Sequence, residues 1–223
     1  MRHASFPLVV LASCLGGATA GESPIADLRF GAELGIGIDT EFTLSNHSPT
    51  TDTVVRTAID DQPRRFSLGY VRGLGESASS GPIVGVHAFY ARGGGKFQDT
   101  AASSLIGGSR VDTTTLGLDL ELGYAAVLPS APGIHVEGTV FAGLIMQEHR
   151  LSLGSTGTLG FGGDGFESGA RLSAVRTFAN RWQLAATVRY LFESEVEANF
   201  GDSGSSDLTS DGVLVGLALG YRL

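Results

Sequence analysis

The chain has 223 residues, with 15 Lys and Arg against 23 Asp and Glu, a net charge of −8 that argues against nucleic acid as a partner. The length fits one domain or at most two small ones, and the 33 glycines are scattered through apolar alternation with no collagen period. One cysteine, Cys14, excludes a disulfide framework.

The chain begins with a short basic stretch, Met1-Arg2-His3, followed by the apolar run "SFPLVVLASCLGG" and the small-residue sequence Ala18-Thr19-Ala20. That order predicts a secretory signal over 1–20 and an exported domain over 21–223. The apolar run is too short to span a bilayer as a helix. "LASC", Leu11 to Cys14, offers a competing reading as a lipoprotein box with Cys14 acylated. Cleavage after Ala20 removes Arg2 and no acid, leaving 14 basic and 23 acidic residues, a net −9, and no cysteine.

Beyond residue 20 the signal is a period of two. In "DLRFGAELGIGIDTEFTL", Leu28, Phe30, Ala32, Leu34, Ile36, Ile38, Phe42 and Leu44 are assigned to one face, with Arg29, Glu33, Asp39 and Glu41 on the other. A second strand is predicted from Phe66 to Leu74 and a third from Ile83 to Arg92. The fourth, "TLGLDLELGYAAVL", alternates Leu116, Leu118, Leu120, Leu122 and Tyr124 with Gly117, Asp119, Glu121 and Gly123. The fifth runs from Ile134 to Leu151, the sixth from Phe166 to Phe178 and the seventh from Trp182 to Glu193. The eighth, "DGVLVGLALGYRL", alternates to the last residue.

The connections alternate in length. "GESASSG", "PSAPG" and "ANR" are short and rich in turn-forming residues. The segments 45–65, 93–110, 152–165 and 194–210 read as long polar loops, and "GSTGTLGFGGDGF" within the third as a flexible one with no phosphate-binding Lys-Ser/Thr after it. Short turns at one end and long loops at the other are the pattern of an all-β, eight-stranded antiparallel transmembrane barrel, an up-and-down meander with periplasmic turns and extracellular loops. A soluble barrel would need a water-facing side rich in Lys and Glu. Here the polar side is mostly Gly, Ser, Thr and Ala with a few charges of both signs, which suits a cramped interior and turns the apolar side to lipid.

Aromatic residues are expected to form two girdles. Phe30, Tyr124, Phe178, Trp182 and Tyr221 fall at the short-turn end, and Phe42, Phe66, Tyr90, Phe166 and Phe192 at the long-loop end.

On these features the sequence resembles the small eight-stranded outer-membrane barrels of Gram-negative bacteria, the OmpA-type transmembrane domain and the opacity-type surface proteins. The resemblance implies an outer-membrane location, no cofactor, lipopolysaccharide and the barrel assembly machinery as partners, and a monomer. It also implies a role in envelope structure or in contact with a host or other surface ligand. It assigns Leu219, Tyr221 and Leu223 as the assembly signal of the closing strand, with Leu223 in place of the usual terminal Phe or Trp.

Eight strands enclose a space that side chains fill, so a wide channel is not expected, and a narrow ion-conducting pore is the alternative. By parity Glu33, Glu121, Arg171 and Arg189 point inward at similar heights and are predicted to form a polar cluster plugging the lumen. His87 and His135 also point inward. A lipid-modifying enzyme is a distant third reading. Its nearest constellation is Glu148, His149 and Ser152, and alternation sends Glu148 and His149 to opposite faces. The acids Glu195, Glu197, Asp202, Asp207 and Asp211 match no calcium-loop spacing and read as a solvated acidic loop.

Overall fold

A computed structural model describes residues 25–47, 52–74, 80–106, 108–131, 133–153, 157–199 and 204–223; the signal and lipoprotein readings of the first 20 residues lie outside them. The alternating segments form nine strands: β1 (Ala26–His47), β2 (Asp52–Ile59), β3 (Arg64–Gly73), β4 (Gly81–Lys96), β5 (Arg110–Val127), β6 (Ile134–Ser152), β7 (Thr158–Thr177), β8 (Trp182–Asn199) and β9 (Gly204–Arg222). A seven-residue helix, α1 (Thr100–Ile106), sits between β4 and β5. Every pairing is antiparallel, and β9 pairs with β1 from Asp27↔Arg222 to Asn46↔Gly204, so the sheet closes on itself.

Eight wall positions make the ring, and β2 and β3 share one of them. The lower half of β1, Ala26 to Leu34, pairs with β3, while its upper half, Thr40 to His47, pairs with β2. The break between β2 and β3 falls at Pro63, which has no N–H to place in a ladder. Its carbonyl accepts a hydrogen bond from the Gly35 N–H at 2.8 Å, and a Cβ on Gly35 would come within 2.6 Å of the Pro63 ring. The turn at 178–181 is closed by the Phe178 N–H donating to the Trp182 carbonyl at 2.9 Å, with Arg181 in the left-handed region at φ 67°.

The strands run further than the sequence alone predicts. Where a loop was expected over 152–165, β7 already begins at Thr158, and the expected loop over 194–210 is mostly the upper ends of β8 and β9. Likewise β1 extends to His47, β2 occupies much of 45–65, and β4 reaches Lys96. The physical cause is lateral pairing. A polar segment beside another of matching register satisfies its backbone in a ladder, whatever its exposed side chains. The glycines of "GFGGDG" favour this too, since a Cβ at Gly163 or Gly165 would strike the carbonyl oxygen of Glu197 or Glu195 at 2.1 or 1.8 Å.

A strand of about 19 residues, tilted about 40°, rises roughly 48 Å, about twice the ~25 Å apolar band of an outer-membrane barrel. The wall accordingly has two zones. In the lower one, Leu120, Leu122, Val140, Leu172, Val188 and Leu217 face outward, and Asp119, Glu121, Arg171 and Arg189 are buried inside. In the upper one the polarity inverts: Phe42, Ile59, Phe97, Val111, Leu151 and Leu208 pack inside, while Glu41, Arg56, Lys96, Asp164 and Glu197 are exposed.

Phe42 corrects the expected girdle. A register shift between Gly35 and Gly37 inserts a bulge in β1, so parity flips above it, and Ile38, Thr40 and Phe42 point inward instead of sharing the face of Leu28 to Ile36. Phe42 is 0% exposed. The other upper aromatics differ from it: Phe66, Phe166 and Phe192 are exposed on the outer wall, and Tyr90 is half-buried there. At the lower end Phe30, Tyr124, Phe178, Trp182 and Tyr221 are exposed, with Trp182 and Tyr221 opposite in register and their rings edge to face at 5.5 Å.

Candidate functional site

The lumen holds the only layers of buried charge among the described residues, and the strands place each member by simple alternation. Nearest the turn end, Arg29 of β1 donates two hydrogen bonds to Glu137 of β6, Nη1 to Oε2 at 2.5 Å and Nη2 to Oε1 at 2.7 Å, and a third to Asp27 at 2.8 Å. His135 Nε2 lies 2.9 Å from Glu137 Oε1, and Arg222 Nε donates to Asp27 at 3.1 Å. Asp27, His135 and Glu137 bring ligand atoms within 4.8 Å of one another, a spacing that suits a metal ion. The guanidinium of Arg29 already occupies both carboxylates, however, and supplies the positive charge a cation would bring.

Above this lies a larger layer of three arginines and four acids. Arg189 of β8 sits near its centre, 3.0 Å from Asp119, 3.3 Å from Glu33, 3.5 Å from Glu121 and 3.8 Å from Glu167. Arg65 of β3 pairs with Asp119, with Glu167 at 2.6 Å and with Glu33 at 3.7 Å. Arg171 of β7 reaches Glu121 at 2.5 Å, and His87 stands between them, 3.3 Å from each. Two phenylalanines roof the layer, with the Arg65 guanidinium 3.3 Å over the Phe89 ring and that of Arg189 4.2 Å over Phe141.

The structure thus brings Glu33, Glu121, Arg171 and Arg189 into one cluster, and adds Arg65, Asp119, Glu167 and His87 to it. Asp119, Glu167 and His87 were legible by parity, as Asp119 alternates with Leu118 and Leu120, whereas Arg65 fell within the segment 45–65 read as a loop. Their heights were not, because the stagger between strands comes from closure.

A second, apolar layer closes the upper lumen. Phe42 stacks on Phe97 at 5.6 Å and leans on Phe161 at 6.4 Å, with Ile59, Val111, Leu151 and Leu208 around them. Between the two layers is a cavity of about 60 Å³ lined by Ile38, Thr113, Thr115, Gln147, Leu191 and Ser210, room for roughly four waters.

Glu148, His149 and Ser152 do not assemble. Glu148 is on the outer wall with Arg150 at 2.9 Å, while His149 is buried inside, its Nε2 2.7 Å from Gln147 Oε1 and its ring edge-on to Phe161 at 5.2 Å. Of the acids read as one loop, Glu195 and Glu197 lie on β8 and Asp207 and Asp211 on β9, and Asp202 is outside the described residues.

A closed ring of eight positions, an outward apolar band and a lumen of paired charge define an antiparallel transmembrane β-barrel. No helix among the described residues is long and apolar enough to cross a membrane, and the crossing is made by strands. The fold is that of small outer-membrane barrels. The chain is similar to the outer membrane protein OprG of Pseudomonas aeruginosa, at 12% identity and a TM-score of 0.54, over 91% of this chain and 98% of that one. Weaker likenesses are to Neisserial surface protein A, at 13% identity and a TM-score of 0.44 over 88% of this chain and 97% of that one, and to the outer membrane protease OmpT of Escherichia coli, at 7% and 0.45 over 92% and 100%. No protein-family model matches the chain, and no curated protein matches its sequence.

Proposed function

We propose that the chain is an outer-membrane barrel of a Gram-negative envelope that does not conduct, and that acts through the part of its wall projecting outside the cell, in surface interaction or envelope structure. Residues 1–20 direct export and are cleaved in the process, and Leu219, Tyr221 and Leu223 at the closing strand serve as the signal to the assembly machinery. The observation that carries the reading is the layer around Arg189, where seven charged side chains span the lumen with almost no exposure. An ion crossing it would have to separate guanidinium and carboxylate groups already hydrogen-bonded to one another, at a cost of several kcal/mol each. The upper half supports the second part. With apolar side chains inside and charges outside, it is built to stand in water as a rigid pedestal for its hairpins, consistent with a surface ligand or lipopolysaccharide as partner.

Purified protein in planar lipid bilayers tests the reading. A flat current trace at an applied potential of about 100 mV, which is worth about 2.3 kcal/mol per elementary charge, is expected. Steady, resolved single-channel steps would overturn it in favour of a narrow ion-conducting pore.

A further inference from the structure

The outer wall is not charged evenly where the apolar band ends. Above that band, and leaving aside Arg72 and Arg176 at the lower rim, the first outward-facing charged side chain is an acid on six of the eight ring strands: Asp39, Asp112, Glu148, Asp164, Glu193 and Asp211. On the remaining two, β3 and β4, it is an arginine, Arg64 and Arg92. These two strands are neighbours, and Arg64 stands directly opposite Arg92 in the register.

Directly opposed residues of antiparallel strands hold their Cβ atoms about 5 Å apart, and like charges there repel. Two other bases of this rim are compensated: Arg110 pairs with Asp112 at 2.7 Å and Arg150 with Glu148 at 2.9 Å. Neither Arg64 nor Arg92 has a carboxylate partner among the described residues. The Arg92 guanidinium lies 5.8 Å over the Tyr90 ring, and just below the pair Phe66 and Tyr90 face each other on the lipid side. Lys96, two outward positions further up β4, is exposed and also has no ion pair among the described residues. Two unpaired guanidinium forks above an aromatic, apolar surface, at the height of the lipid head groups, form an anion seat with a hydrocarbon slope beneath it.

We propose that Arg64 and Arg92 bind the phosphate of an outer-leaflet lipid, whose acyl chains run down the face made by Phe66, Leu68, Tyr90 and Leu116. Both guanidiniums donate to the phosphate oxygens, and this relieves the cross-strand repulsion. The acidic first charges on the other six strands disfavour the same head group, so one phosphorylated lipid is held on one side of the barrel. This inference rests on the transmembrane barrel and is independent of whether the lumen conducts.

Native mass spectrometry of the purified barrel in detergent tests it, with bis-phosphorylated lipid A, its dephosphorylated analogue and inorganic phosphate as probes. The wild type is expected to retain the phosphorylated lipid and not the dephosphorylated one. Each basic residue at an anionic lipid surface contributes roughly fivefold, so Arg64→Gln with Arg92→Gln should weaken retention about thirtyfold. Arg72→Gln with Arg176→Gln, at the opposite rim, should leave it unchanged. If the double variant fails to fold, judged by electrophoretic mobility before and after heating, each single variant carries the test with an expected loss of about fivefold. Undiminished binding by the Arg64/Arg92 variants overturns the proposal, as does equal retention of the dephosphorylated lipid. Displacement of the lipid by an equal concentration of inorganic phosphate would reduce the seat to a bare anion site and likewise overturn it.

Discussion

Replacing Arg189 by methionine keeps most of the volume of the side chain and removes its charge, which isolates the electrostatic role of the central layer. Arg189 is 1% exposed and is the nearest cation to Glu33, at 3.3 Å, with Arg65 further away at 3.7 Å. In its absence two arginines face four carboxylates, and Glu33 loses its closest partner. Breaking a buried ion pair by removing one side costs about 3–5 kcal/mol, because the remaining charge stays desolvated. With a denaturant dependence of about 2 kcal/mol/M for a domain of this size, a loss of ~4 kcal/mol lowers the urea midpoint by about 2 M. The assay is equilibrium unfolding from lipid vesicles, followed by the fluorescence of Trp182, the single tryptophan, which faces lipid at the lower rim. Adding Glu33→Gln should return roughly half of the loss, since it neutralises the stranded acid. Arg150→Met, at an exposed surface pair with Glu148, should leave the midpoint where it is. A midpoint shift for Arg189→Met below about 0.5 M, or a double variant less stable than the single one, would show that each charge in the lumen is separately hydrated and that no cluster holds the barrel closed.

Phe42→Ala is expected to cost about 3–5 kcal/mol in the same assay, and Phe66→Ala distinctly less, because lipid refills the outer wall while nothing refills the inner layer. Equal effects would contradict the inward turn at the β1 bulge. Asp61 lies above the apolar band, and burial raises its pKa against the opposing backbone N–H groups of Gly94 and Gln62. A raised folded value means its contribution is fully present below the unfolded pKa and is lost as pH rises through the folded one. Asp61→Asn should therefore stabilise the barrel at neutral pH and change little near about pH 3, as read from urea midpoints across that range. For sidedness, cysteines at Leu105, 72% exposed on α1, and at Asn180 in a lower turn can be labelled with a membrane-impermeant maleimide. Leu105→Cys should react on intact cells and Asn180→Cys only after the outer membrane is broken, and the reverse order would invert the topology.

What the amino-acid sequence determined by itself is what depends on a local period of two. The alternation of Leu116 to Tyr124, and of Val213 to Leu223, is readable because successive side chains leave a strand on opposite sides wherever it lies. The same parity sends Glu121, Arg171 and Arg189 inward, and the Gly and Pro of the short connections mark where the chain reverses. Tertiary structure decided what depends on neighbours and on height. Nothing in the side chains of a polar segment separates a solvated loop from a paired strand, so the upper ends of β7, β8 and β9 become visible only through their register with one another. The bulge at Gly35 and Gly37 moved Phe42 from the lipid face to the inner one, and two glycines so close in a strand were its only signal. The addition of Arg65, Asp119 and Glu167 to the central layer required the stagger between strands, which is a property of the closed ring. Which face should be apolar was also a matter of height. Below the rim the outer face meets hydrocarbon, above it water, and the wall exchanges its two faces where the surrounding solvent changes.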